Sequence, residues 1–396
     1  MRLPRDLGWL TYCLNIHPTQ NWAETRAALT GPMCAVRDAL GPDEPFAAGL
    51  RFSAETVREL ESPRARSELK SILADNRLLP VTVNGFPYGP FHGTRVKEDV
   101  YQPDWRSDAR LDYTCSLADL MADISAAGEV VSLSTVPGTF KPLAAGAEAN
   151  MVERLLRTAA HLSRLREVTG VTVALALEPE PFCFLETIEE AVAFFDAFLF
   201  SEDAVRRMGD LAGLDRNAAA IALPRHLGLC YDVCHAAVEF EDAAGSIAAL
   251  RVAGVPIHKL QLSAALRLPS VTQAARKALR SFDEPTYLHQ VVSRRGNGPL
   301  RREPDLPTAL ARAEDADGEE WRVHFHVPVF LADLGDFYST QDFLAEILTI
   351  HAREPISAHL EVETYTWDVL PKALRHGSVE ANVARELRWV LERLGA

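Results

Sequence analysis

Eight short apolar runs alternate with stretches that carry apolar residues at helical spacing, and the alternation continues from one end of the chain to the other. The runs fall at roughly 8–18, 46–53, 79–89, 127–138, 172–181, 226–235, 257–263 and 357–366. Each is mostly Val, Ile, Leu and Ala, the composition of a parallel strand buried on both faces. Between them lie amphipathic segments such as NMVERLLRTAAHLSRLREVTG and TQDFLAEILTIHARE, and the last, SVEANVARELRWVLERLG, opens on Ser378 as an N-cap. Eight such units in order predict one (β/α)8 TIM barrel over residues 1–396. A typical barrel needs only ~250 residues. The excess falls at 190–225 and at 264–335. The second stretch contains strand-like pieces, TYLHQVVSRR and EEWRVHFHVPVF, and then returns to the barrel pattern. It reads as an insertion between strands seven and eight, and an insertion leaving the C-terminal end of a strand is expected to lie over the barrel mouth.

Composition narrows the function. A net charge of −14 argues against a nucleic-acid or anionic-membrane surface. The six cysteines are scattered, with no CxxC pair, which fits reduced thiols in a cytoplasmic protein. No apolar signal core opens the chain and no run approaches the ~20 apolar residues that span a bilayer, so no membrane insertion is expected. The partner expected is a small-molecule metabolite, and a homo-oligomer is compatible with the sequence.

Four of the apolar runs end on residues able to bind a metal: Glu178 and Glu180, Asp232 and His235, Gln261, and Glu361 and Glu363. A buried strand gains nothing from a carboxylate, because stripping an unpaired charge of water costs several kcal/mol or more. Acids recurring at the C-terminal ends of consecutive strands therefore indicate a common site, and oxygen-rich ligands suit a hard divalent cation. Strand residues two apart share a face, which groups Glu178 with Glu180, Lys259 with Gln261, and Glu361 with Glu363. Interior ion pairs with Lys259 are the competing reading for any single acid. His17 and His92 fall just past strands one and three, and Asn84 at the end of strand three suits a substrate contact. His324 and His326 lie two apart in the insertion. They read as a second metal pair or, preferably, as the source of one acid/base group in the site. Cys230 and Cys234 beside Asp232 read as small buried thiols.

These motifs resemble the xylose isomerase-like barrel superfamily, which includes sugar isomerases, sugar epimerases and hydroxypyruvate isomerases. LALEP at Glu178, Asp232-Val-Cys-His235, Gln261 in HKLQLS and Glu363 in LEVETYT match that family's strand ends five to eight. The resemblance implies one divalent ion (Mn, Mg or Zn) on Glu178, Asp232, Gln261 and Glu363 with His235 close by. Over the full length, NIHP, NGFPYGPFHG, LEPEP, YDVCH, KLQLS, HFHVPVF and ETYTWDVLP are similar to the Ebo-cluster metabolite-traffic family EboE. That likeness implies handling of a secondary metabolite without implying a reaction.

The leading expectation is thus a metal-dependent isomerase or epimerase acting on a small polyhydroxylated or 2-oxo metabolite, by proton transfer next to a carbonyl. Glu178, Glu363 and His326 are the expected catalytic groups. His17, Asn84, His92, Glu180, Lys259, His324 and Glu361 are the expected substrate contacts. A metabolite-binding traffic protein and a metal-dependent hydrolase are the alternatives.

Overall fold

The first strand and the last strand of the chain lie side by side, so the sheet between them curls into a barrel. In the computed structural model, which describes residues 1–41, 44–93, 95–312, 316–375 and 377–396, the first seven strands are β1 (Trp9–Tyr12), β2 (Phe46–Arg51), β3 (Leu78–Asn84), β4 (Val130–Thr135), β5 (Thr172–Leu177), β6 (Leu227–Asp232) and β7 (Ile257–Leu262). Five further strands follow: β8 (Ala265–Leu268), β9 (Val291–Arg294), β10 (Arg301–Glu303), β11 (Glu320–His326) and β12 (Tyr338–Ser339). The last strand is β13 (His359–Val362). The large sheet runs β1-β13-β7-β6-β5-β4-β3-β2, all pairs parallel. Trp9 pairs with His359 at the seam, and a parallel bridge from Cys13 to Gly49 joins β1 to β2. This is a (β/α)8 barrel. Its strands read as unbroken apolar runs because both faces are covered, the outer one by helices and the inner one by the opposite wall. Every residue of β2 and β6 is buried.

Glycine is obligatory at one point of the closure. A Cβ at Gly49 would stand 2.0 Å from Glu361 Oε1 and 2.4 Å from the Tyr12 carbonyl oxygen. The bare backbone leaves room for a carboxylate inside the barrel.

Long helices pack outside, among them Asp108–Ile124, Glu148–Thr169 and Gln341–Arg353. The final helix, Val379–Leu394, starts at Ser378, whose side chain accepts from the Ala381 N–H. The excess residues at 190–225 form a π-helical turn (Phe195–Leu199) and two helices, Glu202–Ala212 and Arg216–His226, before β6.

Between β7 and β13 the chain builds a second sheet, antiparallel, in the order β10-β9-β11-β8-β12. It reaches Ser339, past the boundary at 335 read from the sequence, because the bridge from Asp333 to Tyr338 turns the chain back to add β12 along β8. Residues 313–315 of this segment lie outside the described residues. Leu266, Trp321 and Phe325 of the second sheet belong to the same apolar core as the barrel. Arg322 lies over the Phe240 ring at 3.9 Å and donates to the Ala237 carbonyl, tying the sheet to the segment after β6.

Candidate metal centre

Asp232 shows how local chain chemistry places ligands. It ends β6 and caps the short helix Val233–Val238, its Oδ1 accepting from the His235 N–H at 3.0 Å and from Ser263 Oγ at 2.7 Å. That cap turns His235, three residues on, back toward the strand end. Glu178 follows β5 directly and Glu363 follows β13 directly. Oxygens of Glu178, Asp232 and Glu363 lie within 4.8 Å of one another, all three residues buried.

Three like charges in one dry place repel each other, and burial opposes each of them. Burial, then Glu363 and Asp232, push the Glu178 carboxyl well above its ordinary range. Burial, then Asp232 and Glu361, push Glu363 up to about 8. Three amide donors work against that on Glu363: Asn15 Nδ2 at 2.5 Å, Asn84 Nδ2 at 2.9 Å and Gln261 Nε2 at 3.0 Å. Among the described residues, the buried acceptors Glu178 Oε2, Asp232 Oδ2 and Gln261 Oε1 have no partner. Buried polar atoms are nearly always satisfied, so orphaned acceptor oxygens from three adjacent strand ends fit a divalent cation.

Beside the carboxylates sit three imidazoles. His235, His324 and His326 pack with ring centroids 4.6, 5.9 and 5.3 Å apart. Burial holds His324 well below its ordinary value and His326 down at about 4, so both are neutral. Glu180 accepts from Tyr101 Oη at 2.7 Å and Gln290 Nε2 at 3.2 Å, while burial raises its carboxyl.

A cavity opens over this centre. Asn15, Asn84, Glu178, Glu180, His235, His324 and Glu363 supply its polar lining, and Phe86, Phe91, Tyr101, Tyr287 and Tyr365 its aromatic wall. That mixture of polar and aromatic groups suits a small organic ligand.

The structure removes several residues from the expected set. Lys259 and Glu361 form an ion pair at 2.5 Å with both side chains fully buried, so they contact each other and not a substrate. They stand two residues deeper along their strands than Gln261 and Glu363, below the mouth. Burial opposes the Lys259 charge, but Glu361 outweighs it and holds the ammonium charged. His17 does not line the cavity: its Nε2 meets Tyr12 Oη at 3.2 Å. His92 also stands behind the wall, bonded to the Asn15 carbonyl and to Tyr287 Oη at 3.0 Å. His326 lies under the cavity instead of facing it, which takes it out of the role of substrate acid/base. Gln261 meets Glu363 through its amide nitrogen, leaving the oxygen free for a cation.

Sequence reasoning missed Asn15, Tyr101, Tyr287 and Gln290. Asn15 sits in the same NIHP motif as His17, and the histidine drew the attention. Tyr101 ends a short 3-10 helix and Tyr287 and Gln290 lie in the loop before β9, and the only signal for all three is the fold that brings them together.

No family model matches the chain, and no curated protein matches it. The likeness to the traffic family therefore has no matching model behind it. Solved structures do match along most of the length. One is described as the probable 3-DHS dehydratase AsbF involved in petrobactin synthesis from Bacillus anthracis, at 11% identity and TM-score 0.46, covering 96% of this chain and 97% of that one. Another is the IOLI protein with a zinc atom, at 12% identity and TM-score 0.44, covering 98% of each chain. A third is a xylose isomerase domain protein from Alicyclobacillus acidocaldarius, at 11% identity and TM-score 0.45, covering 98% of this chain and 99% of that one. Likeness at this level carries no assignment of activity. Among the described residues no helix is long and apolar enough to cross a membrane.

Proposed function

We propose that the chain is a divalent-metal-dependent isomerase or epimerase that moves a proton next to the carbonyl of a small polyhydroxylated or 2-oxo metabolite. The observation that carries this reading is the buried trio Glu178, Asp232 and Glu363, with oxygens on Glu178 and Asp232 unpartnered among the described residues, and with Glu178 and Glu363 lining a cavity walled by polar and aromatic groups. Glu178, Asp232, Gln261 and Glu363 would hold the cation. When bound, it would polarise carbonyl and hydroxyl oxygens of the ligand.

The two acids of that trio that line the cavity, Glu178 and Glu363, are not equivalent. Glu363 is fixed by its three amide donors, so its position is set before any ligand arrives. Glu178 lines the cavity without such a clamp, which leaves it the group to take a proton from carbon and return it. Asn15 and Asn84 line the same cavity while holding Glu363, and so couple ligand position to carboxylate position. The aromatic wall shields the exchange from bulk water.

Solvent-deuterium exchange tests the reading. The metal-loaded protein, incubated in D₂O with a panel of keto acids, sugars and cyclitols, is expected to label at least one of them at carbon. Glu178→Gln and Glu363→Gln should each cut that rate by at least ~10²-fold while ligand still binds. Binding without any carbon exchange would refute the proton-transfer reading and leave a metabolite receptor, the role implied by the traffic-family resemblance. Water-derived ¹⁸O in a product would instead favour the hydrolase alternative.

A further inference from the structure

The cavity beside the carboxylates has two parts of opposite chemistry. One is the polar set of strand-end groups already described. The other is apolar. Phe91, Val96, Tyr287 and Tyr365 form a buried apolar cluster of their own, separate from the barrel core, and all four line the cavity. They come from the loop after β3, the loop before β9 and the 3-10 turn after β13. The three aromatic rings stand with centroids 5.0, 5.1 and 5.3 Å apart. Val100 and Leu288, both half-buried, continue this wall toward the surface.

The polar tips on the wall are already engaged. Tyr101 Oη donates to Glu180 Oε1 at 2.7 Å and accepts from Gln290 Nε2 at 2.9 Å. Tyr287 Oη meets His92 Nδ1 at 3.0 Å. Lys97, the one lysine or arginine among the described lining residues, gives its Nζ to Asp305 Oδ2 at 2.8 Å. A hydroxyl placed against this wall would exchange water for apolar surface, and a phosphate or carboxylate there would lose far more. A bare polyol can lay one face on a ring, but it gains nothing from Val96, Val100 and Leu288, whose side chains carry no hydrogen-bonding atom. The polar part repels anions as well. Glu178, Glu180 and Glu363 line it with Asp232 beside them, and four carboxylates outweigh the charge of one divalent ion.

We propose that the ligand is uncharged and has two parts: an oxygen-bearing head that meets the carboxylates, and an apolar substituent, aryl or branched alkyl, that lies along the wall of Phe91, Tyr287, Tyr365, Val100 and Leu288. The head rests on the proton-transfer reading. The substituent does not, because only the wall recognises it. An aryl group would add edge contacts with the rings to the area it buries. Free sugars, sugar phosphates and short 2-oxo acids have no group for this wall, and the last two carry a charge that the site opposes.

Fluorine NMR of the full-length protein tests the wall without the head. Fluorobenzene and 4-fluorophenol should show saturable shifts, and fluoroacetate should show none. Leu288→Ser and Val100→Ser, each at a half-buried position, should weaken that binding at least ~5-fold. Phe198→Ser, in an apolar groove outside the site, should leave it unchanged. Calorimetry on Mn²⁺-loaded protein then joins the two parts. Phenyl and hexyl ethers of glucose, xylose and inositol should bind at least ~10-fold more tightly than the parent polyols, about what two buried CH₂ groups supply. Glucose 6-phosphate should bind more weakly than glucose. The proposal is overturned by fluoroarenes that do not bind, or whose binding is lost in Phe198→Ser and kept in the two wall variants. It is equally overturned if every ether fails to bind, if ether and parent polyol bind alike, or if the phosphate binds more tightly than glucose. Ethers that bind without any carbon exchange would refute the proton-transfer reading and leave this one standing.

Discussion

Without a bound cation this protein should become less stable as the pH rises, and Glu363 gives the size of the effect. Its carboxyl lies at about 8 in the folded chain against an ordinary 4.5. Between those values the folded state holds a proton that the unfolded state has released. The stabilisation from this protonation is fully present below 4.5 and is lost as pH rises through 8. At about 1.36 kcal/mol per unit, the change from pH 5 to pH 8 is about 3 kcal/mol for this group. Glu178, raised for the same reason, adds to it in the same direction. Glu363→Gln removes the titration and keeps the shape. Its new amide would meet the Gln261 amide, and Gln261 relieves the clash by turning its unpartnered oxygen inward. Urea unfolding of chelator-treated protein at pH 5, 6, 7 and 8 should therefore show stability falling more steeply in the wild-type chain than in Glu363→Gln, by about 3 kcal/mol across the range. A saturating divalent ion should flatten the wild-type slope, since the cation replaces the proton. Parallel slopes for the two metal-free proteins would refute the like-charge account of the centre.

Two further outcomes follow from the barrel interior. Lys259→Met strands Glu361 without the cation it pairs with and should cost about 3–5 kcal/mol in chemical denaturation, most of it recovered in Lys259→Met/Glu361→Leu; equal losses in the single and double variants would count against the pair. Gly49→Ala drives a methyl into Glu361 Oε1 and the Tyr12 carbonyl and should destabilise by about 1–3 kcal/mol or more in thermal melts, and a change under about 0.5 kcal/mol would show that the seam relaxes freely.

The barrel was legible because its strands obey one rule, apolar on both faces, and each run read from the sequence overlaps a strand of the barrel. The strand-end carboxylates were legible for the converse reason, since an acid at the close of an apolar run needs an explanation. Depth was not. A period of two gives the face a residue occupies and says nothing of how far along the barrel axis it stands. Lys259 and Glu361 therefore looked equivalent to Gln261 and Glu363, although the fold places them as a sealed pair beneath. Lone loop histidines misled for another reason: His17 and His92 are held by Tyr12 and Tyr287, partners that only tertiary packing reveals. Of the amides that hold Glu363, Asn84 and Gln261 stand at strand ends and were legible there, whereas Asn15 escaped notice because a side-chain amide in the turn after β1 carries no pattern of its own.

The seam between β1 and β13 dictates an order of assembly. Glu363 follows the last barrel strand, while Asn15, which donates to it, follows the first, 348 residues away. As the chain leaves the ribosome, Glu178 and Asp232 emerge long before the third carboxylate. Until β13 arrives, β1 and β7 are open edges able to pair with other chains. The antiparallel sheet of β8 to β12, built from shorter-range pairings, can form ahead of that closure. The oxygen-rich centre is then completed by the closing of the barrel itself, and a nascent chain has no finished site with which to capture a metal too early.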